Sequence, residues 1–473
     1  LSINDTAGTV SLNANITGGS GGNINFGNNP VTLEGSLTVQ SAGSGAITFG
    51  STFDGDGDSD TLTISSGTGT TTFTGAIGGT TALNALSLTS GGAVALSDIG
   101  TSLQAGLSAS SSINASGAVT LSGSDYNTNQ IDLTGSSFSF TNGSSVTFQT
   151  SNDNLTFNTG AISLSSSTPL TINSGSGLLT ATAITGSDSS AVSLTGSNGI
   201  ITGGVITAGG DVTLNGSTNL VTLGGDIQTN ASSAATAGTL SLTASALDLS
   251  ADSSITTDGT TTDQAINLGS IPVTSSSTSA LTLNSGSEAI TLSSVGSASD
   301  TLGNLIVSSS GSVDLDGNIE ATGVQILASG SAESIDFTGV SIDANGGNVF
   351  LSSDSITFGT ALSSTGSSGT TIATITGDTD ASTITINNGA GSDANLEISE
   401  TDLALIASDF SDVILGSSSA DGTFGLEAQA DQTGAITVNA TDGTLNFPAS
   451  NLNLRGVGST TTITTPIDTS AAA

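Results

Sequence analysis

The chain has 473 residues and a formal net charge of −38, with a single Arg and no Lys, His, Cys, Met or Trp. Phosphate groups are bound through Lys and Arg, so we expect neither a nucleic-acid partner nor binding to an anionic membrane, and no apolar run is long enough for membrane insertion. Without His, Lys or Cys the chain lacks the usual nucleophile–base pairs and zinc ligands, and scattered carboxylates are thin support for glycoside hydrolysis, so we predict no enzyme activity.

A strongly acidic chain with few aromatic residues can be disordered, but other features favour a folded protein. Hydrophobic residues make up 35% of the sequence and charged residues only 8%. The polar remainder is rich in Ser, Thr, Asn and Gly, which suit turns and the solvent side of strands. With no Cys, the fold must depend on burial and backbone hydrogen bonds. Because the chain starts at Leu1 and contains no Met, we interpret it as a mature product or an excised piece.

The first candidate site is the acidic stretch FDGDGDSDTLTI, which starts at Phe53. Its aspartates alternate with Gly and Ser, and they are Asp54, Asp56, Asp58 and Asp60. Calcium prefers six to eight oxygen ligands, and a Gly-rich acidic loop can wrap around it. The stretch is not an EF-hand, since Ser65 stands where the closing acidic ligand is expected. The sequence favours a solvated acidic turn between two strands, with calcium, the only candidate cofactor, as the alternative.

A short apolar–polar–apolar stretch followed by Gly, Ser, Asn or Asp recurs from one end of the sequence to the other. Examples are AVTLSG (118–123), DVTLNG (211–216), SIDFTG (334–339) and AITVNA (435–440). Alternation with a period of two and many β-branched residues predict strands. In one continuous run the apolar pairs follow each other closely: Val119/Leu121, Ile131/Leu133, Phe138/Phe140, Val146/Phe148, Leu155/Phe157, Ile162/Leu164 and Leu170/Ile172.

This spacing is compatible with antiparallel sandwiches as well as with a parallel β-solenoid. A chain of sandwich domains should show domain-sized periods, linkers and large core aromatics, and this sequence shows none of them. The uniform recurrence of short apolar–polar–apolar stretches is typical of repeats that stack only on their neighbours. We therefore predict an all-β, right-handed parallel β-solenoid (β-helix), in which three strands make a coil of about 24 residues and the chain forms about 20 coils.

A second acidic group follows in the later part of the chain: Asp314, Asp316, Glu320, Glu333, Asp336, Asp343 and Asp354. Asp314 and Asp316 share one strand face, because side chains alternate along a strand. Stacked coils could align other members into a ladder, which would repel itself without cations. We interpret the group as a solvated face rather than as a specific site.

Residues 396–426 interrupt the repeated alternating pattern that predicts strands. Within them the stretch SETDLALIASDF predicts the one helix of the chain, a short one near 401–407 with Ser399 or Thr401 as its cap. The apolar residues of this helix would be Leu403, Leu405 and Ile406.

The stretch GAGSDANLEI precedes this helix and comes close to a glycine-rich calcium motif through Gly389, Gly391 and Asp393. That motif works through stacked tandem copies, and here it occurs once. For the domains we predict a β-solenoid rod over 1–395 and a continuing solenoid with a short helix–strand insert over 396–473. The alternative is one continuous domain.

Several stretches bring a resemblance to known proteins. TLTISSGTGTTTFTGAIGGTTALNALSLTS resembles the β-strand-repeat units of very large bacterial surface proteins. GGDVTLNGSTNLVTLGGDIQTN (209–230) and GGNVFLSSDSITFGTALSSTG (346–366) are similar to filamentous-haemagglutinin-type adhesins, and SETDLALIASDFSDVILGSS is similar to a helix-then-strand insert among such repeats. The resemblance covers most of the chain. It implies a secreted or surface-attached bacterial solenoid, often one part of a far larger polypeptide.

Two functional hypotheses remain. The first is a structural extracellular protein of the bacterial surface, a stiff acidic rod that serves as fibre, adhesin stalk or envelope-layer subunit and either stacks head to tail or continues within a larger chain. The second is a cell-adhesion module that recognises a glycan or protein of a host or neighbouring cell through one solenoid face, with calcium as a candidate ion. A self-complementary end would favour the first hypothesis, and a face with clustered, non-repeating polar groups would favour the second.

Overall fold

In the described part of the chain the protein is an all-β parallel β-solenoid of about 16 turns, with 1% helix. It divides into two compact units, Leu1–Ser245 and Ala246–Ala473. The computed structural model describes residues 1–3, 8–165, 167–187, 189–230, 236–330, 333–366, 371–377, 383–387, 395–406, 408–416, 435–439, 445–446, 451–455, 460–464 and 466–468.

The first unit consists of short strands joined by turns. They are β1 (Val10–Leu12), β2 (Ile16–Gly18), β3 (Ile24–Asn25), β4 (Val31–Leu33), β5 (Leu37–Ser41), β6 (Ile47–Phe49), β7 (Phe53–Gly55), β8 (Thr61–Ser65), β9 (Thr71–Phe73), β10 (Ala85–Ser90), β11 (Val94–Leu96), β12 (Ser111–Ala115), β13 (Val119–Leu121), β14 (Asp125–Thr128), β15 (Ile131–Phe140), β16 (Val146–Thr150), β17 (Leu155–Leu164), β18 (Leu170–Asn173), β19 (Leu179–Ala181), β20 (Ile184–Thr185), β21 (Val192–Thr195), β22 (Ile200–Thr202), β23 (Ile206–Thr207), β24 (Val212–Asn215), β25 (Val221–Leu223), β26 (Ile227–Gln228) and β27 (Leu240–Thr243).

The second unit adds the remaining strands and the helix. They are β28 (Leu247–Leu249), β29 (Ser253–Thr256), β30 (Ile266–Leu268), β31 (Val273–Ser275), β32 (Leu281–Asn284), β33 (Ile290–Leu292), β34 (Leu302–Ser309), β35 (Val313–Leu315), β36 (Ile319–Ala328), β37 (Ser334–Asp336), β38 (Ser341–Asp343), β39 (Val349–Ser352), β40 (Ser355–Thr357), β41 (Ala361–Ser363), β42 (Ile372–Thr376), β43 (Thr383–Asn387), β44 (Asn395–Ser399), α1 (Glu400–Leu403), β45 (Asp412–Leu415), β46 (Ile436–Asn439), β47 (Leu445–Asn446), β48 (Leu452–Leu454), β49 (Thr461–Ile463) and β50 (Ile467–Asp468).

Strands recur at three positions along each turn of the first unit, which we name the first, second and third face. The first face holds β1, β4, β7, β14, β16, β18, β21, β24 and β27; the second holds β2, β5, β8, β10, β12, β19, β22 and β25; the third holds β3, β6, β9, β11, β13, β20, β23 and β26. The long strands β15 and β17 run from the second face into the third. All these strands pair in parallel with the strand one turn away, as the sequence predicted.

The second unit repeats these positions within itself. Its first face holds β30, β33, β35, β37 and β40; its second holds β28, β31, β38 and β41; its third holds β29, β32, β34, β39, β42, β45 and β48, with β36 running from the second face into the third. Strands β44, β43, β46 and β49 form a separate four-stranded sheet, and β47 pairs with β50. Parallel pairing again joins neighbouring strands within the described residues.

The predicted coil of about 24 residues is confirmed by the register, and the count of about 16 turns is slightly lower than the predicted count of about 20. Leu62 lies beside Leu86, which is 86 − 62 = 24 residues further on. In the second unit, however, Ile372 lies beside Asp412, so that turn takes 412 − 372 = 40 residues. Between these partners the chain forms β43, β44 and α1, so fewer turns fit into the same length. The predicted right-handed course stays a prediction.

The core follows from the alternation of side chains along each strand. In β8 the inward residues Leu62 and Ile64 are buried, while Thr61, Thr63 and Ser65 lie half-buried on the outer side. Leu62 and Ile64 lie beside Leu86 and Leu88 of the next turn, and such contacts exclude water over successive turns. Burying an aliphatic side chain contributes about 1.5–3 kcal/mol, so stacking stabilises turns that would not fold alone.

Aromatic residues stack in the same way on the third face of the first unit. The rings of Phe26 and Phe49 have centroids 4.6 Å apart, and those of Phe49 and Phe73 are 4.5 Å apart, with nearly parallel planes. Phe53 of the first face meets Phe49 edge-on at 5.0 Å. Ring pairs of this geometry stabilise by about 0.5–1.5 kcal/mol beyond burial, so they fasten successive turns together.

Glycine and serine shape a corner of the first unit. Gly67 has φ +55°, and a Cβ there would clash with the carbonyl oxygen of Gly43 one turn away, so only glycine suits the position. The buried hydroxyls of Ser66 and Ser90 donate to the carbonyl oxygen of Gly69 over 3.0 and 2.9 Å. These hydroxyls satisfy a backbone group that the strand ladder does not reach.

The predicted short helix is confirmed in place and is shorter than expected. α1 begins after Ser399, whose Oγ accepts a hydrogen bond from the amide of Asp402 over 3.1 Å, while Oδ2 of Asp402 accepts one from the amide of Ser399 over 2.9 Å. This reciprocal pair is a capping box, so Ser399 is the cap and Thr401 is not. Of the three apolar residues predicted for this helix, only Leu403 belongs to it and is buried, whereas Leu405 and Ile406 follow it, half-buried and buried respectively. The domain boundary at 395/396 stays a prediction.

Candidate cation-binding sites

The acidic stretch of the first unit joins the first face to the second. Asp54 belongs to β7, and the other three aspartates lie in the turn that precedes β8. The neighbouring Phe53 is fully buried among aromatic rings, so it fixes where the turn begins. Asp56 and Asp58 are exposed, and Asp60 is half-buried.

Protein groups already occupy carboxylate oxygens in this turn. Oδ1 of Asp54 accepts hydrogen bonds from the amides of Thr80 and Thr81, over 2.8 and 3.3 Å. Within the turn, Oδ1 of Asp56 accepts one from the amide of Asp58 over 3.0 Å. These contacts are those of a hydrogen-bonded acidic turn.

Oδ1 of Asp60 accepts a hydrogen bond from Oγ of Ser36 over 3.2 Å. In the residues that the structure describes, no three acidic side chains come close enough together to hold a metal ion. The structure therefore places the four aspartates along β7 and the turn that follows it, without joining them into a ligand set. Calcium binding at this turn stays a prediction, and Gly389, Gly391 and Asp393 of the glycine-rich stretch lie outside the described residues.

The second acidic group contains two pairs of carboxylates in register. Asp314 of β35 lies beside Asp336 of β37, and Glu320 of β36 lies beside Asp343 of β38. Burial raises the pKa of Asp314 above its ordinary value, and the charges of Asp316 and Asp336 raise it further. These register pairs form part of the predicted ladder of carboxylates. Like charges on neighbouring strands destabilise a sheet, so the pairs carry an electrostatic cost.

Other members of this group accept hydrogen bonds from neighbouring turns. Oε2 of Glu333 accepts one from Oγ of Ser312 over 2.6 Å, and Oδ1 of Asp343 accepts one from the amide of Thr365 over 2.9 Å. The hydroxyl and amide donors lower the energy of the ionised carboxylates in place of cations.

A recurrent role of Asn and Asp was not foreseen from the sequence. An Asn or Asp just before a strand accepts a hydrogen bond through its side-chain oxygen. The donor is the backbone amide of the corresponding residue one turn later. Asp211 does so with Thr239 over 2.8 Å, and Asp252 does so with Ala280 over 2.8 Å. The same bond is made by Asn15, Asn23, Asn154, Asn318 and Asn348. In six of these seven cases the signal was an Asn or Asp directly before an apolar strand residue, and Asp252 instead precedes Ser253.

One surface of the second unit also departs from the predicted alternation. On the third face, Gln325, Phe350, Thr374 and Ile414 follow one another in register and point away from the core, yet they are only 4%, 6%, 5% and 4% exposed. Strands buried on both sides read as continuous apolar runs. The runs VFL in β39 and VIL in β45 carry that signal.

Comparison of this chain with known protein families, with curated proteins and with solved structures gives no match. Among the described residues, no helix has the length and apolar character needed to cross a membrane. Its ladder of repeated strand turns makes the chain a β-solenoid repeat protein.

Proposed function

We propose that this chain is a structural extracellular protein of the bacterial surface, a stiff acidic β-solenoid segment that serves as fibre, adhesin stalk or envelope-layer subunit. The observation that carries the proposal is the parallel ladder within each unit, built turn on turn around an apolar core. A ladder of this kind resists bending because every turn is hydrogen-bonded to both neighbours. The resemblance to adhesin-type repeat proteins supports the same role.

The composition fits a protein whose task is mechanical. The chain has no Cys, Met or Trp, so few side chains are open to oxidation, and it has no Lys or His for acid–base chemistry. The outer sides of its strands carry Ser, Thr and Asn, which hydrate well. We therefore assign it no catalytic role.

The turn that begins the first unit supports axial association. Of its inward residues Leu12 is 5% exposed, but Val10 and Ile16 are only half-buried, whereas their register partners Val31 and Val39 are 1% and 0% exposed. A further turn would cover these side chains and pair with the outer edge of β1 and β2, where the described strands offer no partner. We propose that such a turn is supplied by a second copy or by more of the same polypeptide.

A matched pair of variants in β1 tests this association. Val10→Lys places a charge on the inward side of the first turn, and Ser11→Lys places the same charge on the outward side of the same strand. We expect the first variant to reduce the size of assemblies in light scattering and the second to leave it unchanged. Equal behaviour of wild type and both variants would contradict axial pairing through this edge.

The alternative is a binding module, and one feature of the first unit favours it. Between β7 and β14 the first face is reduced to single bridges at Ile77 and Ile99, and irregular loops replace its strands. Nε2 of Gln104 donates to the carbonyl oxygen of Thr80 over 3.4 Å, and Leu103 at the tip of its loop is 95% exposed. Loops on a rigid scaffold commonly carry recognition. In this alternative the loops, with the acidic turn beside them, bind a glycan or protein with calcium.

A further inference from the structure

We draw no further inference here: the strongest candidate, the outward row of Gln325, Phe350, Thr374 and Ile414 on the third face of the second unit, is buried, and nothing in the described residues shows what covers it.

Discussion

Asn and Asp residues that precede strands complete the hydrogen bonding between turns. The amide of the residue that precedes a strand finds no carbonyl acceptor in the ladder. A side-chain oxygen one turn earlier accepts its hydrogen bond instead, as those of Asp211 and Asp252 do. A buried or half-buried amide left without an acceptor is unfavourable, so this bond aligns one turn on the next. The amide donors also explain how a chain with 39 acidic residues and one Arg keeps carboxylates at its corners.

Removing one such acceptor should loosen the strand start that it holds. We expect Asp252→Ala to raise the hydrogen-exchange rate of the Ala280 amide about fivefold, which corresponds to about 1 kcal/mol for one lost hydrogen bond. Asp252→Asn keeps the accepting oxygen and should leave the rate close to that of wild type. An unchanged rate in the alanine variant would show that this bond does not hold the turn.

The register pair Asp314 and Asp336 should make stability depend on pH. Since the folded pKa of Asp314 is raised by burial, by Asp316 and by Asp336, the folded state holds its proton more tightly than the unfolded state does. The stability that this proton contributes is present below the unfolded pKa and is lost as the pH rises through the folded pKa. We expect Asp314→Asn to raise the melting temperature at pH 7 and to change it little at pH 3. A variant that melts below wild type at pH 7 would contradict this account.

At the scale of the strand, two patterns of burial occur. Strands such as β8 alternate buried and half-buried residues, and their outer side faces solvent. On the third face of the second unit, β39 is buried along its whole length. An outward apolar residue there should therefore contribute to stability as a core residue does.

Two isoleucines that point outward from a sheet allow this to be tested. Ile414 is 4% exposed, whereas Ile201 in β22 of the first unit is 38% exposed. We expect Ile414→Ala to lower the free energy of unfolding by about 2–4 kcal/mol, and Ile201→Ala to change it by less than about 0.5 kcal/mol. Denaturant unfolding followed by circular dichroism measures both. Equal small effects would show that the outward row of the second unit is not a packed surface.

The sequence predicted those features that depend on residues close together in the chain. The period-two pairs such as Leu155/Phe157 predicted strands because alternation is a property of the strand itself. The four aspartates of the 54–60 turn could be placed between strands, but their partners could not, because Thr80 and Thr81 lie one turn away and the register fixes that contact. The number of solenoid turns was overestimated for a similar reason, since nothing local in the sequence shows that Ile372 pairs with Asp412.

For the molecule as a whole, a net charge of −38 with one Arg dominates behaviour in solution. Repulsion among carboxylates disfavours side-by-side clumping of copies, while ladder pairing along the axis remains open. The same repulsion acts within the fold, so screening by salt should stabilise it. The preference for axial over lateral association and the salt dependence therefore have the same electrostatic origin.

A comparison of calcium with sodium chloride separates a specific site from general screening. Melting is followed in about 2 mM calcium chloride and in sodium chloride of equal ionic strength. We expect the two midpoints to agree, because carboxylate oxygens of Asp54, Asp56 and Asp60 already accept hydrogen bonds from protein groups. A higher midpoint in calcium alone would establish an ordered site, because an ion that binds only the folded state stabilises it. If Asp56→Asn combined with Asp58→Asn removed that rise, the site would be the acidic turn, as the binding-module alternative requires.

The central claim is that the solenoid is a structural element continued along its axis by further turns. Negative-stain electron microscopy of the native protein, isolated without denaturant, tests it most directly. We predict filaments one solenoid thick and longer than a single chain of 473 residues can form. Discrete particles with the 45.4 kDa mass of one chain, at every protein concentration, would contradict the claim and favour the binding module.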